Sequence, residues 1–440
     1  MPRELLSTLL FLWVGAISSL AQTPVGPPSP PPQTPSQAIE TGQKLFEQRR
    51  YLEAERLFQE SLGMLAPDDP RRPGTLRMVG AAMRLQGRFA DAAAPLNERL
   101  KLEPDSESAI EDLAVAYMGS GEPAKALALY EQLVALKQKQ LEERQGPTKR
   151  GVDEMPLIPA LQKLARAQEF ALQPKVALVT LNRIMTIRSK SQGSDHIDLA
   201  PEFLNLGRLY LALKNDEMAA ASFQFALEIL EKTYGLEDSR LLPAIDRLAQ
   251  SWRNLKRADD AEMLYRRALA LREATYGGLH PDIAQTLDAL GKMLFDQKRY
   301  SEAEPLYRRS LGIWALGLGP RHVLLALSLD NLAVTVAALG KFDEADQLYK
   351  QALAIRDFDD VGSLRNLAVI AQARAKPKEV ETYLRRALST IDASPEKSDA
   401  LTPVLKDLAE ALRKQNKNVE AAKLDQRRQE LKKVTPAEQK

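Results

Sequence analysis

The chain is 440 residues long, with 61 Lys+Arg against 59 Asp+Glu, three His, no Cys and 44% hydrophobic residues. So even a charge balance leaves no basic footprint for nucleic acid. The absence of Cys removes disulfides, thiolate metal sites and thiol nucleophiles, and the near-average composition argues against wholesale disorder.

Residues 1–21 read as a secretory signal peptide: Arg3, an apolar core from Leu5 to Ile17, then Ser19 and Ala21 as small residues before a cut at Gln22. The apolar core is shorter than the roughly 20 residues a membrane span takes. Residues 22–36 carry seven prolines between Pro24 and Pro35 and predict a polyproline-like linker, acting as a spacer.

Past residue 36 the chain repeats itself. An Ala recurs at Ala177, Ala219, Ala261, Ala303 and Ala345, each 42 residues after the last, and Ala54, Ala92, Ala126, Val380 and Ala421 fill the same slot elsewhere. Twelve residues before each stands a small residue, such as Gly42, Gly80, Gly207, Gly291 or Ala333. Four residues after it, in the first nine units, comes a bulky one, such as Phe58, Leu96, Phe223 or Tyr307. This pattern predicts helix pairs: the small residue of the first helix lets the second approach, and the bulky one fills the contact. Gly193, Gly235, Gly277 and Gly319 sit where each second helix should stop in a left-handed cap.

These units resemble the tetratricopeptide repeat. The central block, with Gly277-Gly278-Leu279-His280-Pro281-Asp282, Glu302-Ala303-Glu304 and Leu306-Tyr307-Arg308-Arg309, resembles the repeats of kinesin light chains over about residues 175–360. The resemblance implies an all-α, right-handed superhelical solenoid of about ten helix pairs. Units 1–3 occupy 37–145, an exposed loop covers 146–156, units 4–10 with a polar C-terminal cap cover 157–432, and 433–440 form a disordered tail. The long interval between Ala126 and Ala177 predicts a softer joint at that loop.

His196, His280 and His322 each lie 23 residues before a turn Ala, with Asp238 filling that place in the intervening unit. They are one loop position repeated, so neither a metal site nor a catalytic role is expected of them. No phosphate loop, nucleophile elbow or zinc motif is present, and no cofactor or enzymatic activity is expected.

Function then rests on surface. In tetratricopeptide arrays the first helices line the concave face. Their outward positions here hold Arg166, Asn205, Arg208, Arg247, Gln250, Arg253, Lys292 and Asn331. Arg166, Arg208, Gln250 and Lys292 fall in one register and predict a stripe of long donors; kinesin light chain grooves also favour acidic peptides. The Lys/Asn clamp of some co-chaperone repeats is missing. The expected function is an exported, non-catalytic scaffold that binds a protein or peptide segment on its concave face. The alternative is a structural component that oligomerises through the solenoid ends. Zero Cys and no Asn-x-Ser/Thr site point to a bacterial periplasm or envelope, or to secretion.

Overall fold

A computed structural model describes residues 34–145, 153–319, 321–356, 360–393 and 399–434. The expected signal peptide, most of the proline linker, residues 146–152 and residues 435–440 lie outside the described residues. Among the described residues there are twenty α-helices and no strand. The chain divides into two compact units, 1–173 and 174–440.

The first unit holds α1 (Pro35–Glu47), α2 (Tyr51–Met64), α3 (Arg72–Leu85), α4 (Phe89–Leu102), α5 (Glu107–Gly119), α6 (Pro123–Gln145) and α7 (Ile158–Phe170). Helix α1 starts within the expected linker, because the Thr34 hydroxyl accepts from the Gln37 N–H and Pro35 stands in the first turn. The second unit runs α8 (Pro174–Gln192), α9 (Leu199–Ala212), α10 (Asp216–Tyr234), α11 (Leu242–Asn254), α12 (Ala258–Tyr276), α13 (Pro281–Asp296) and α14 (Tyr300–Leu318). It continues with α15 (Val323–Ala338), α16 (Phe342–Arg356), α17 (Val361–Ala373), α18 (Pro377–Asp392), α19 (Leu401–Lys414) and α20 (Asn418–Val434). Within each unit every helix packs on its neighbours in sequence, the near one-dimensional contact pattern of a repeat protein. The expected joint at 146–156 falls inside the first unit, because α7 packs back on the long α6.

The small-residue slots are close-packing sites. A Cβ built on Gly42 would lie 2.6 Å from the Phe58 ring, on Gly80 2.5 Å from Leu96, on Gly207 2.5 Å from Phe223 and on Gly291 3.0 Å from Tyr307. Each clash partner is the residue predicted sixteen positions downstream. The turn Ala residues are buried, as at Ala54, Ala92, Ala219, Ala261, Ala303 and Ala345.

Two backbone features differ from expectation. Gly235, Gly277 and Gly319 end their helices at φ 85°, 77° and 78°, but with ψ of 173°, 167° and 168°, in an extended positive-φ region open essentially only to glycine. A second positive-φ position, five residues before the turn residue, recurs within the helix pairs. It holds Gly87, Gly121 and Gly340, but also Arg49, Leu172, Lys214, Lys256, Lys298, Ala375 and Asn416.

Candidate functional site

The second unit contains a cavity of about 560 Å³ between α9, α10, α11, α12 and the start of α13. Asn205 and Arg208 from α9 and Arg247 and Gln250 from α11 line it, so four of the predicted positions meet at one place. Arg208 and Arg247 are exposed, Asn205 and Gln250 half-buried. The floor is apolar, made of Leu204, Leu242 and the buried Phe223 beneath Gly207. Tyr276 closes one side. The donors of two successive first helices thus stand over an apolar base, an arrangement that can hold backbone carbonyls and carboxylates of an extended chain.

The other predicted positions are not part of this cavity. Lys292 pairs with Asp296 at 3.4 Å, one helical turn on. Arg253 and Asn331 are half-buried on α11 and α15. Arg166 is exposed on α7 in the first unit, its guanidinium 5.8 Å from the Phe170 ring. The chain therefore carries three of the expected four-residue row in the second unit, and only Arg208 and Gln250 share the cavity.

The sequence reading passed over a set of internal clamps. Asp246, on the cavity wall, accepts two bonds from Arg272, one of them at 3.0 Å, and is held by an arginine 26 residues downstream. Asp330 is held in the same way by Arg356. Asp288 takes the corresponding place in the intervening pair, but its partner is the Trp314 indole N–H at 3.0 Å. No cation reaches Asp288, and its Oδ1 is buried with no hydrogen-bond partner among the described residues. Burial pushes the Asp288 carboxyl up, with the Trp314 N–H offsetting part of the rise. Burial also raises Asp330, against the pull of Arg356. The 26-residue spacing was visible in the sequence; that it joins one face of a first helix to its own second helix was not.

The histidines have a role that the sequence reading did not foresee. His196, His280 and His322 each accept a backbone N–H two residues on through Nδ1, at 3.3, 3.2 and 3.2 Å, at the entry to α9, α13 and α15. Asp238 does the same for Arg240 at 2.8 Å, and the Arg240 side chain beside it pulls its carboxyl down to about 2. The repeated loop position is a helix-capping site. His280 also stacks on Tyr276, with ring centroids 4.5 Å apart.

Residues 241–315 and 289–357 match the tetratricopeptide-repeat family model, and residues 37–154 match that of the bacterial transcriptional activator domain. Residues 241–357 therefore carry tetratricopeptide repeats, which suggest a scaffold for protein–protein interaction. Among solved structures the chain is similar to a kinesin light chain-like repeat protein of Podosopora anserina, at 23% identity over 46% of this chain and 96% of that one, with a TM-score of 0.42. It is also similar to BtubC (BKLC) from P. vanneervenii, at 18% identity over 53% and 91% of the two chains, TM-score 0.45. Pseudomonas aeruginosa pilF is similar at 19% identity over 55% and 93%, TM-score 0.39. Among curated proteins no relative matches. No helix of the described residues is long and apolar enough to cross a membrane.

Proposed function

We propose that the chain is an exported, non-catalytic scaffold that captures an extended, acidic segment of another protein on the groove of its first helices. The observation that supports this reading is the meeting of Asn205, Arg208, Arg247 and Gln250 over one apolar-floored cavity. Arg grips a carboxylate with two parallel hydrogen bonds, and Asn and Gln side chains pair with peptide groups. Contacts of this kind on a solvated wall are individually weak and screened by salt.

Capture of the native partner from envelope extract should therefore weaken as salt rises to physiological levels. Arg208→Glu together with Arg247→Glu should reduce it at least tenfold without loss of helicity by circular dichroism. Unchanged capture by the double variant would sink the groove as the binding surface. Export is tested separately, by mass spectrometry of the purified protein: the reading expects a chain beginning near Gln22, and an intact Met1 in a cytosolic fraction would contradict it.

A further inference from the structure

In the second unit a groove-side aspartate meets one arginine, as Asp246 meets Arg272 and Asp330 meets Arg356. In the first unit Asp112 on α5 meets three. Arg99 from α4 reaches Oδ2 at 2.8 Å, Arg84 from α3 reaches Oδ1 at 2.9 Å, and Arg77 from α3 reaches Oδ2 through Nε at 3.3 Å. Arg99 is buried and also bound to Glu103 and Ser108, so its part is structural. Arg77 is different. Its side chain is 56% exposed, and its closest approach to Asp112 is through Nε at the edge of the cluster.

Arg77 and Arg84 lie seven residues apart, two helical turns, on one face of α3. They stand three before and four after Gly80, the slot that packs on Leu96. Four helices on in the same unit, α7 presents Lys163, paired with Glu111 of α5 at 2.5 Å, and the exposed Arg166. The charges of Arg84, Arg166 and Glu111 all act on the Tyr130 hydroxyl of α6, so they belong to one neighbourhood. Five cations (Arg77, Arg84, Arg99, Lys163 and Arg166) therefore face three acids (Glu103, Glu111 and Asp112). One carboxylate with two oxygens cannot saturate three guanidinium groups.

We infer that the first unit carries its own binding site for an acidic protein segment, built on Arg77, Arg84 and Arg166. Asp112 already displays the mode of binding: a carboxylate gripped by guanidinium groups from two helices. Ligand carboxylates add to the exposed Arg77 and Arg166 and complete the charge balance. The near-neutral chain as a whole favours an acidic protein segment over a nucleic acid. The inference stands independently of the cavity in the second unit.

The test uses the full exported chain and a fluorescein-labelled ten-residue oligoglutamate, followed by anisotropy at low and physiological salt. Arg208→Glu with Arg247→Glu, which disables the second-unit groove, should leave salt-sensitive binding behind. Adding Arg77→Glu and Arg166→Glu should weaken that residual binding at least tenfold. The neutral pair Arg77→Gln and Arg166→Gln should give an intermediate loss and serves if the reversed chain loses helicity. Arg56→Glu, a reversal of an exposed arginine on α2 outside the cluster, should change nothing. No residual binding in the Arg208/Arg247 variant, no further loss on changing Arg77 and Arg166, or an equal loss with Arg56→Glu each overturns the inference. Stronger competition by a ten-residue oligothymidylate than by unlabelled oligoglutamate overturns it in favour of nucleic acid. If reversing Arg208 and Arg247 costs no binding while reversing Arg77 and Arg166 does, the second-unit reading fails and this one stands.

Discussion

Two stretches of the second unit, α9–α12 and α12–α16, are built on one 42-residue period and use their charges in opposite ways. On α12 and α14 the residue after the turn Ala is acidic and bridges to a cation four before the next turn Ala. Glu262 meets Arg299 at 2.6 Å and Glu304 meets Lys341 at 2.7 Å. In α10 that acidic place holds Ala220, and the cation opposite, Arg257, turns to Asp260 at 2.7 Å and sits 4.7 Å from the Trp252 ring. On the groove side the contrast reverses. Over α9–α11 exposed arginines line an open cavity, whereas on α13 Lys292 is tied to Asp296. The ion-paired stretch matches most of its charges internally, the buried Asp288 excepted. The cavity stretch leaves Arg247 over an apolar floor, which is what a binding surface requires.

The comparison is broken most severely at its shared element, the glycine slot. A Cβ at Gly207 meets the Phe223 ring at 2.5 Å, whereas at Gly291 the distance to Tyr307 is 3.0 Å. Overpacking a tight interface costs about 1–3 kcal/mol and occasionally more. Gly207→Leu should therefore lower the thermal midpoint more than Gly291→Leu, with losses of about 3 kcal/mol or more against about 1–3 kcal/mol. It should also abolish groove binding, since Phe223 forms the cavity floor. Equal losses at the two sites would mean that the cavity side has room to give.

The second effect is electrostatic. Asp288, the carboxylate without a cation, has its affinity for a proton raised by burial. The folded chain then binds that proton more tightly than the unfolded one, so stability falls as pH rises through the window from the ordinary Asp value, about 4, to the raised one. The full penalty is present above that window and absent below it. Asp288→Asn keeps an oxygen for the Trp314 N–H and removes the charge. It should raise the thermal midpoint at pH 7 and converge on the wild type near pH 4. A variant that is less stable than wild type at pH 7 would show that the buried charge is compensated after all. Asp246→Asn should go the other way at pH 7, because it strips Arg272 of its paired charge.

What the sequence made legible follows from which contacts are periodic along the chain. Gly207 with Phe223 and Gly291 with Tyr307 repeat at fixed offsets, so composition and spacing were enough. The meeting of Arg208 with Gln250 followed from register alone. Lys292 shares that register but lies outside the cavity, and its own helix offers it Asp296 four residues on. The Asp246–Arg272 clamp needs the direction of two helix faces, which the period does not supply. Arg166 fits the register of Arg208 yet belongs to the first unit, among Arg84, Lys163 and Glu111.

A smaller loss is expected at the capping histidines. The Nδ1 of His280 accepts the Asp282 N–H, and its ring stacks on Tyr276 at the cavity edge. Losing a cap costs about 0.5–2 kcal/mol in general. His280→Ala should cost near the low end and His280→Asn should restore most of it, both read from thermal melts. His322→Ala, at a ring with no aromatic partner among the described residues, should cost less than His280→Ala. If all of these are silent, the caps are replaceable by water.

The smallest effect concerns the turn inside each pair. Lys256 and Lys298 hold the same place in the two stretches, at φ of 60° and 64°, and both side chains are exposed. A non-glycine residue in the left-handed region costs about 1–2 kcal/mol, and glycine relieves this at the expense of about 0.5–1 kcal/mol of extra chain entropy in the unfolded state. Lys256→Gly and Lys298→Gly should each therefore stabilise by a few tenths of a kcal/mol, up to about 1 kcal/mol. The natural use of Gly87, Gly121 and Gly340 at this position is consistent with that balance. Because the backbone is the same in both stretches, the two gains should be equal even though the surrounding ion pairs differ. Unequal gains would show that the Glu262–Arg299 and Glu304–Lys341 bridges, which the cavity stretch lacks, also brace the turn beside them.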